Sequence, residues 1–198
     1  MRKKILEKAR EVFNSKGIQQ ATIRDIAAEL SLSDGHVRYY FKTKETLLLA
    51  VFDQMNEEIL KWRTRIAPHD SVLENLRVSL ENTYATMYEY SFFFFESLHS
   101  LKQFPLLFES YSKLIAERKL LLKEVFGELR QCQIFKPEIT DEALNTLFEQ
   151  FFILSDGWIR FQYLQGGTFL PKDFAHYSAI TLQLFNPYLS DNTSDIGQ

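Results

Sequence analysis

His36, Arg38, Tyr39, Tyr40, Lys42 and Lys44 fall within nine residues, with Ser33 and Gly35 just ahead and Thr22 and Arg24 a little upstream. The side chains are mostly hydrogen-bond donors. An arginine carries a planar fork that fits the O6 and N7 acceptors of guanine, and His36 lies close enough to Arg38 to reach base edges beside it. The hydroxyl and ammonium groups of Thr22, Tyr39, Tyr40, Lys42 and Lys44 suit phosphate oxygens. Gly35 has no Cβ, so a foreign backbone can approach it closely.

Donors of this kind read a surface only when a rigid element presents them. Ile5, Leu6, Ala9, Val12 and Phe13 recur at helical spacing, and Gly17 is placed to end that helix. Thr22-Ile23-Arg24-Asp25 has the spacing of a capping box, with Ile23, Ile26, Ala27 and Leu30 on one apolar face behind it. Ser33 is a good N-cap for a third, short helix starting at Asp34, and Leu32 with Val37 can form a hydrophobic staple that sets its exit angle. Phe41 is expected in the core, locking that helix to the first. Three short helices, the last exposed, polar and aromatic, describe a helix-turn-helix over residues 1–47. Its last helix would enter the major groove, with Thr22 and Ser33 serving both as caps and as DNA contacts.

Over residues 5–52 the chain resembles the tetracycline-repressor (TetR) family of regulators. The resemblance rests on Ala9-Arg10-Glu11-Val12-Phe13, Lys16-Gly17, Ala21-Thr22-Ile23-Arg24-Asp25-Ile26-Ala27, and on Ser33, Gly35, Val37, Tyr39-Tyr40-Phe41, Lys44-Glu45 and Leu47. It implies an all-α protein: a three-helix DNA-binding domain followed by a larger helical domain for ligand binding and dimerisation. It also implies a homodimer on an inverted-repeat operator and repression relieved by a ligand. Two positions depart from the family pattern. Asp34 stands where lysine is frequent and Arg38 where tyrosine is usual, so Arg38 is expected to add a guanine contact.

The rest of the chain is expected to be helical, giving about nine helices in all, with a body over residues 48–189 and a flexible tail over 190–198. Leu47, Leu48, Val51, Met55, Ile59 and Trp62 mark a long fourth helix from Thr43 to about Ile66, ahead of Pro68. A fifth is expected from Asp70 or Ser71. The block Phe92-Phe93-Phe94-Phe95 points round a whole turn and is expected to be buried nearly all round. A break follows at Phe104-Pro105, Thr140 caps a helix with Ile139 and Leu144 as a second staple, Gly166-Gly167 ends it, and Pro171 opens the last one. Residues 141–165 are apolar on more than one face. One face serves the chain's own core; Phe148, Phe152, Ser155 and Ile159, with Ala179 and Leu184 of the last helix, are expected to meet a second copy. The family resemblance further implies a ligand cavity. Its candidates are Tyr84, Tyr88, Phe94, His99, Tyr111, Trp158, Arg160 and Gln162, and the absence of a charged cluster among them points to an apolar, aromatic or acyl effector.

The charge distribution agrees with a DNA-binding head. Net charge is −3 overall, but residues 1–47 hold ten Lys and Arg against six Asp and Glu, while the remainder holds thirteen against twenty. Cys132 is the single cysteine, in keeping with a reducing cytoplasm. The charged start is not followed by a long apolar run, so neither a leader nor a membrane span is expected. The four histidines, at 36, 69, 99 and 176, lie at no metal-ligand spacing, and there is no HExxH, P-loop, GxGxxG or GxSxG. No enzyme activity, metal or cofactor is expected. The other alternative, a helical small-molecule or lipid carrier without DNA binding, has no use for a basic, stapled helix-turn-helix.

Overall fold

A computed structural model describes residues 1–63, 72–166 and 170–190. The order is α1 (Arg2–Gln20), α2 (Ile23–Glu29), α3 (Asp34–Tyr40), α4 (Lys44–Arg63), α5 (Val72–Glu89), α6 (Ser91–Phe95), α7 (Leu98–Leu101), α8 (Pro105–Gln131), α9 (Asp141–Leu164) and α10 (Pro171–Gln183), then a 3₁₀ turn at Asn186–Tyr188. Apart from one isolated bridge between Phe135 and Leu189, the regular structure of the described residues is all helical. The described residues form ten α-helices rather than about nine, because residues 91–101 form two. Glu96 takes an extended conformation and Ser97 caps a new helix by accepting from the Ser100 amide. The expected end of α4 near Ile66 and Pro68, the start of α5 at Asp70 or Ser71, Gly167, and nearly all of the tail (191–198) lie outside the described residues.

The chain divides into two compact units, with the division falling inside α4, α5 and α8. The first is Met1–Leu60 with Thr86–Lys113. Ile5, Phe13, Ile18, Ile26, Val37, Phe41 and Leu47 form its core around α1 to α4. Gly17 has φ 75° and ψ 161°, a conformation open chiefly to glycine, and it kinks α1 just before the buried Ile18. Phe92 packs on Phe13 with ring centroids 5.3 Å apart; Phe93 lies 5.0 Å from Phe52 and 5.1 Å from Tyr111. Phe92, Phe93 and Phe94 are buried, but Phe95 is 39% exposed. This corrects the expectation for the four-phenylalanine block. Successive helical residues point about 100° apart, and the unit covers three of the four directions.

The second unit is Lys61–Ala85 with Leu114–Gln198. Thr140 caps α9 by accepting from the Ala143 amide at 3.2 Å, and Ile139 and Leu144 are buried on either side of that cap. Pro171 opens α10, and the Asp173 carboxylate accepts from the Leu170 amide at 2.7 Å. Trp158 of α9 stacks on Tyr84 of α5 at 5.0 Å and lies 5.1 Å from Tyr177 of α10. Phe126, Phe135 and Phe185 make a second aromatic cluster, with centroids 5.6–5.9 Å apart.

Candidate nucleic-acid interface

The head is built from caps outward. Thr22 Oγ1 accepts from the Asp25 amide at 3.1 Å, and Asp25 Oδ2 accepts from the Thr22 amide at 2.8 Å, so α2 begins with a complete capping box. Lys16 Nζ donates to Asp25 Oδ1 at 2.8 Å. That bond, followed by those from Thr22, lowers the Asp25 carboxyl to about 2. Ser31 takes a positive φ of 54° in the turn after α2, and Ser33 Oγ then accepts from the His36 amide at 3.2 Å to start α3. Both capping roles read from the sequence are therefore present.

Within α3, Val37 is the buried residue, and Phe41 just beyond it is buried with the Arg2 guanidinium 5.3 Å over its ring. Asp34 is half-buried, and Gly35, His36, Arg38, Tyr39 and Tyr40 are left toward solvent. His36, Tyr39 and Tyr40 form a ring cluster, with His36–Tyr40 centroids 5.8 Å apart and Tyr39 set edge-on to Tyr40 at 5.2 Å. Tyr39 is 83% exposed. Thr22, Arg24, Ser33, Gly35, Arg38 and Lys42 are exposed as well. A Cβ added at Gly35 would meet only Ser33 Oγ, at 4.0 Å, so packing within the chain does not call for glycine there.

Two of the cations have protein partners. Arg38 Nε donates to Asp34 Oδ2 at 2.8 Å, and its Nη1 donates to the Lys42 carbonyl at 3.3 Å. Lys44 turns inward. Its Nζ donates to the Gln19 carbonyl at 3.1 Å, closing the C-terminal end of α1, and sits 5.7 Å over the Phe104 ring. Burial lowers its pKa.

A further set of residues holds the helix-turn-helix in place, and sequence reasoning did not find it. Glu96 Oε1 accepts from the Ile18 amide at 2.9 Å, at the kink of α1. Asn14 Nδ2 donates to the Glu89 carbonyl at 2.8 Å and its Oδ1 accepts from the Phe92 amide at 3.1 Å. Arg10 pairs with Glu89 and lies 5.2 Å over the Tyr90 ring. Glu45 accepts from the Leu106 amide at 2.8 Å in the first turn of α8. The hydrogen-bonded partners are 61 to 79 positions apart, so local spacing carried no signal.

A family model described as "Bacterial regulatory proteins, tetR family" matches residues 5–51, and one described as "TetR: Bacterial transcriptional repressor" matches residues 52–195. The chain belongs to the TetR family. An uncharacterised HTH-type transcriptional regulator, YfiR of Bacillus subtilis (strain 168), is 31% identical over 77 residues, which cover 39% of this chain and 38% of that protein. Among solved structures, a TetR-family transcriptional regulator from Marinobacter aquaeolei VT8 has 22% identity and a TM-score of 0.83, covering 96% of this chain and 92% of the other. FadR of Bacillus subtilis, solved in complex with stearoyl-CoA, has 19% identity and a TM-score of 0.70, covering 93% and 97%. The fatty acid degradation regulator FadR of Bacillus halodurans has 19% identity and a TM-score of 0.71, covering 89% and 93%. At these identities the solved structures establish the fold.

In this TetR-family chain the ligand candidates fall in both units. Phe94 is buried, Tyr88 and Tyr111 are half-buried and His99 is exposed, all in the first unit. In the second, the buried Tyr84 hydroxyl lies 2.9 Å from Ser155 Oγ and 2.6 Å from Thr181 Oγ1, and burial pushes its pKa up to about 12. Trp158 is buried against it, Gln162 accepts from the Tyr177 hydroxyl at 2.8 Å, and Arg160 is exposed.

The residues expected to meet a second copy differ in their burial within the single chain. Phe148 and Ile159 are buried in their own unit, Ser155 is bonded to Tyr84, and Phe152, Ala179 and Leu184 are half-buried. The outer face of α9 also carries Ile153, Phe161 and Leu164, which are 72%, 56% and 77% exposed. Among the described residues no group of three or more His, Cys, Asp or Glu could hold a metal ion, and no helix is long and apolar enough to cross a membrane.

Proposed function

We propose that this chain is a homodimeric, sequence-specific regulator of transcription that grips an inverted-repeat operator with α3 and releases it when an apolar, acyl-type molecule binds the helical body. The observation that carries the reading is α3 itself. A seven-residue helix with one buried side chain contributes little to a core, yet it is capped by Ser33 and presents His36, Arg38, Tyr39 and Tyr40 outward. We assign Arg38 and His36 to base edges, Tyr39, Tyr40, Lys42, Arg24 and Thr22 to phosphates, and Gly35 to close approach of the DNA backbone. Lys44 supports the head from within.

The acyl effector is supported by the aromatic core of the second unit, around Tyr84, Trp158 and Tyr177, and by the likeness of the fold to a regulator solved with stearoyl-CoA. The homodimer is supported by family membership and by the apolar stripe Ile153, Phe161 and Leu164, which the described residues leave exposed. A carrier that never meets DNA would leave α3 without a purpose.

The test is selection of bound fragments from random duplex DNA, followed by titration of the selected site with and without a long-chain acyl-CoA. The expected result is a two-fold symmetric site whose half-site centres are about 10 base pairs, or a multiple of that, apart, with affinity falling as salt rises. The acyl-CoA should weaken operator binding, and operator should weaken acyl-CoA binding by the same factor. Failure to enrich any sequence would overturn the DNA-binding reading; enrichment without an acyl-CoA effect would overturn the effector alone.

A further inference from the structure

We propose that Asp34 is a positioning residue for guanine recognition: it holds the Arg38 guanidinium at one corner so that the opposite corner is offered to a base. The proposal rests on the reading of α3 as the DNA-reading helix. Asp34 and Arg38 lie one helical turn apart on α3, where side chains at i and i+4 are neighbours. Asp34 Oδ2 accepts from Arg38 Nε at 2.8 Å, and the Lys42 carbonyl accepts from Nη1 at 3.3 Å. Asp34 Oδ1 is buried and without a hydrogen-bond partner among the described residues, so the Arg38 contact is the carboxylate's hold on its surroundings. Of the five N–H donors of an arginine, two are thereby engaged. Those of Nη2 have no partner among the described residues, on a side chain that is 51% exposed.

Two effects follow from that geometry. First, an arginine side chain has large rotamer freedom to lose on binding. A guanidinium already fixed at Nε and Nη1 loses less, and its free edge keeps the direction that a bidentate bond to O6 and N7 requires. Second, the pair is electrically neutral. A lone arginine beside a duplex is drawn to the nearest phosphate, which it can grip bidentately whatever the sequence. With Asp34 attached, that pull is reduced, while the two acceptors of guanine are still matched by shape. In water an exposed pair of this kind contributes little; when docking excludes water, the attraction strengthens. Asp34 therefore trades affinity for DNA in general against preference for one base.

The test is a binding profile over all single-base variants of the selected half-site, with competitor DNA measured in parallel, for wild type, Arg38→Ala, Asp34→Ala, Asp34→Asn and Asp34→Glu, each checked for folding by thermal unfolding. Arg38→Ala should remove a guanine preference of about tenfold or more at one position of each half-site. Asp34→Ala should lower that same preference about two- to fivefold and raise affinity for competitor DNA. Asp34→Glu keeps the carboxylate and should keep most of the preference; Asp34→Asn keeps an acceptor without the charge and should fall between. A merely structural role would lower operator and competitor binding together, and that result would overturn the proposal. So would an unchanged guanine preference in Asp34→Ala, or a guanine profile that Arg38→Ala does not alter. Should wild type enrich no sequence at all, it is the regulatory reading itself that fails.

Discussion

Gly35 is the second residue of α3, where glycine is worse than alanine by up to roughly 0.5–1 kcal/mol, and there is room for a methyl group. Gly35→Ala should therefore raise the thermal midpoint of the chain and at the same time weaken operator binding, as the added Cβ meets the DNA backbone. A variant that gains stability without losing affinity would remove the close-approach role. Asp25 acts in the opposite sense, as a group that stability depends on. Its carboxyl is lowered from 3.8 to about 2 by Lys16 and Thr22. A carboxyl lower in the folded than in the unfolded chain contributes fully above the unfolded value and loses its contribution as pH falls through the folded one. Between pH 4 and 2, wild type should lose thermal stability more steeply than Asp25→Asn. Parallel curves for the two chains would show that the Lys16–Asp25 pair contributes nothing. Arg38 and Lys44 show why cationic residues were hard to assign in advance. The same ammonium or guanidinium serves a phosphate, a base or an internal carbonyl, and only its reach in the fold separates them: Lys44 ends on the Gln19 carbonyl, Arg38 on Asp34.

Among the elements, those with local signals were legible. Thr22, Ser33 and Thr140 cap where their spacing indicated; the expected apolar residues of α1 are buried, as are Ile23, Ile26 and Ala27 of α2 and Leu47, Leu48, Val51 and Met55 of α4, while Leu30, Ile59 and Trp62 are half-buried. The break at Glu96 was not legible. Phe92-Phe93-Phe94-Phe95 gives a strong apolar run, and nothing at short range shows that Glu96 leaves the helix to serve α1. Ile18 is fully buried, and the Glu96 carboxylate accepts from its amide beside the kink at Gly17. Glu96→Ala would leave that amide without its acceptor. The expected loss is about 1–2 kcal/mol of stability, read in denaturant unfolding, with the melting of α1 to α3 following suit in hydrogen exchange. Protection of the Ile18 amide equal to wild type would refute the role. The faces of α9 were also ambiguous from sequence, because apolar residues occur on both; burial places Phe148 and Ile159 inward and Ile153, Phe161 and Leu164 outward.

For the whole molecule, that outward stripe carries the expectation about assembly. Replacing both Ile153 and Leu164 by Glu places charges where a second copy is proposed to pack, and desolvating them there would cost several kcal/mol. In a single chain both positions are 72% and 77% exposed, so folding should be little affected. Sedimentation at micromolar concentration should give a dimer for wild type and a folded monomer for the double variant, which should then bind one half-site at a time. A dimeric double variant would move the interface elsewhere.

The first unit is assembled from two stretches of chain, Met1–Leu60 and Thr86–Lys113, and this has a consequence for synthesis. A ribosome adding about 5–20 residues per second releases α1 to α3 several seconds before it has made Phe92 and Glu96. During that interval Phe13 and Ile18 lack the partners that later close over them. The nascent reader of DNA is therefore an unfinished object with apolar surface in water, and a suitable client for chaperones. A transcript truncated before residue 86 would yield every side chain proposed to touch DNA and still no settled head to carry them.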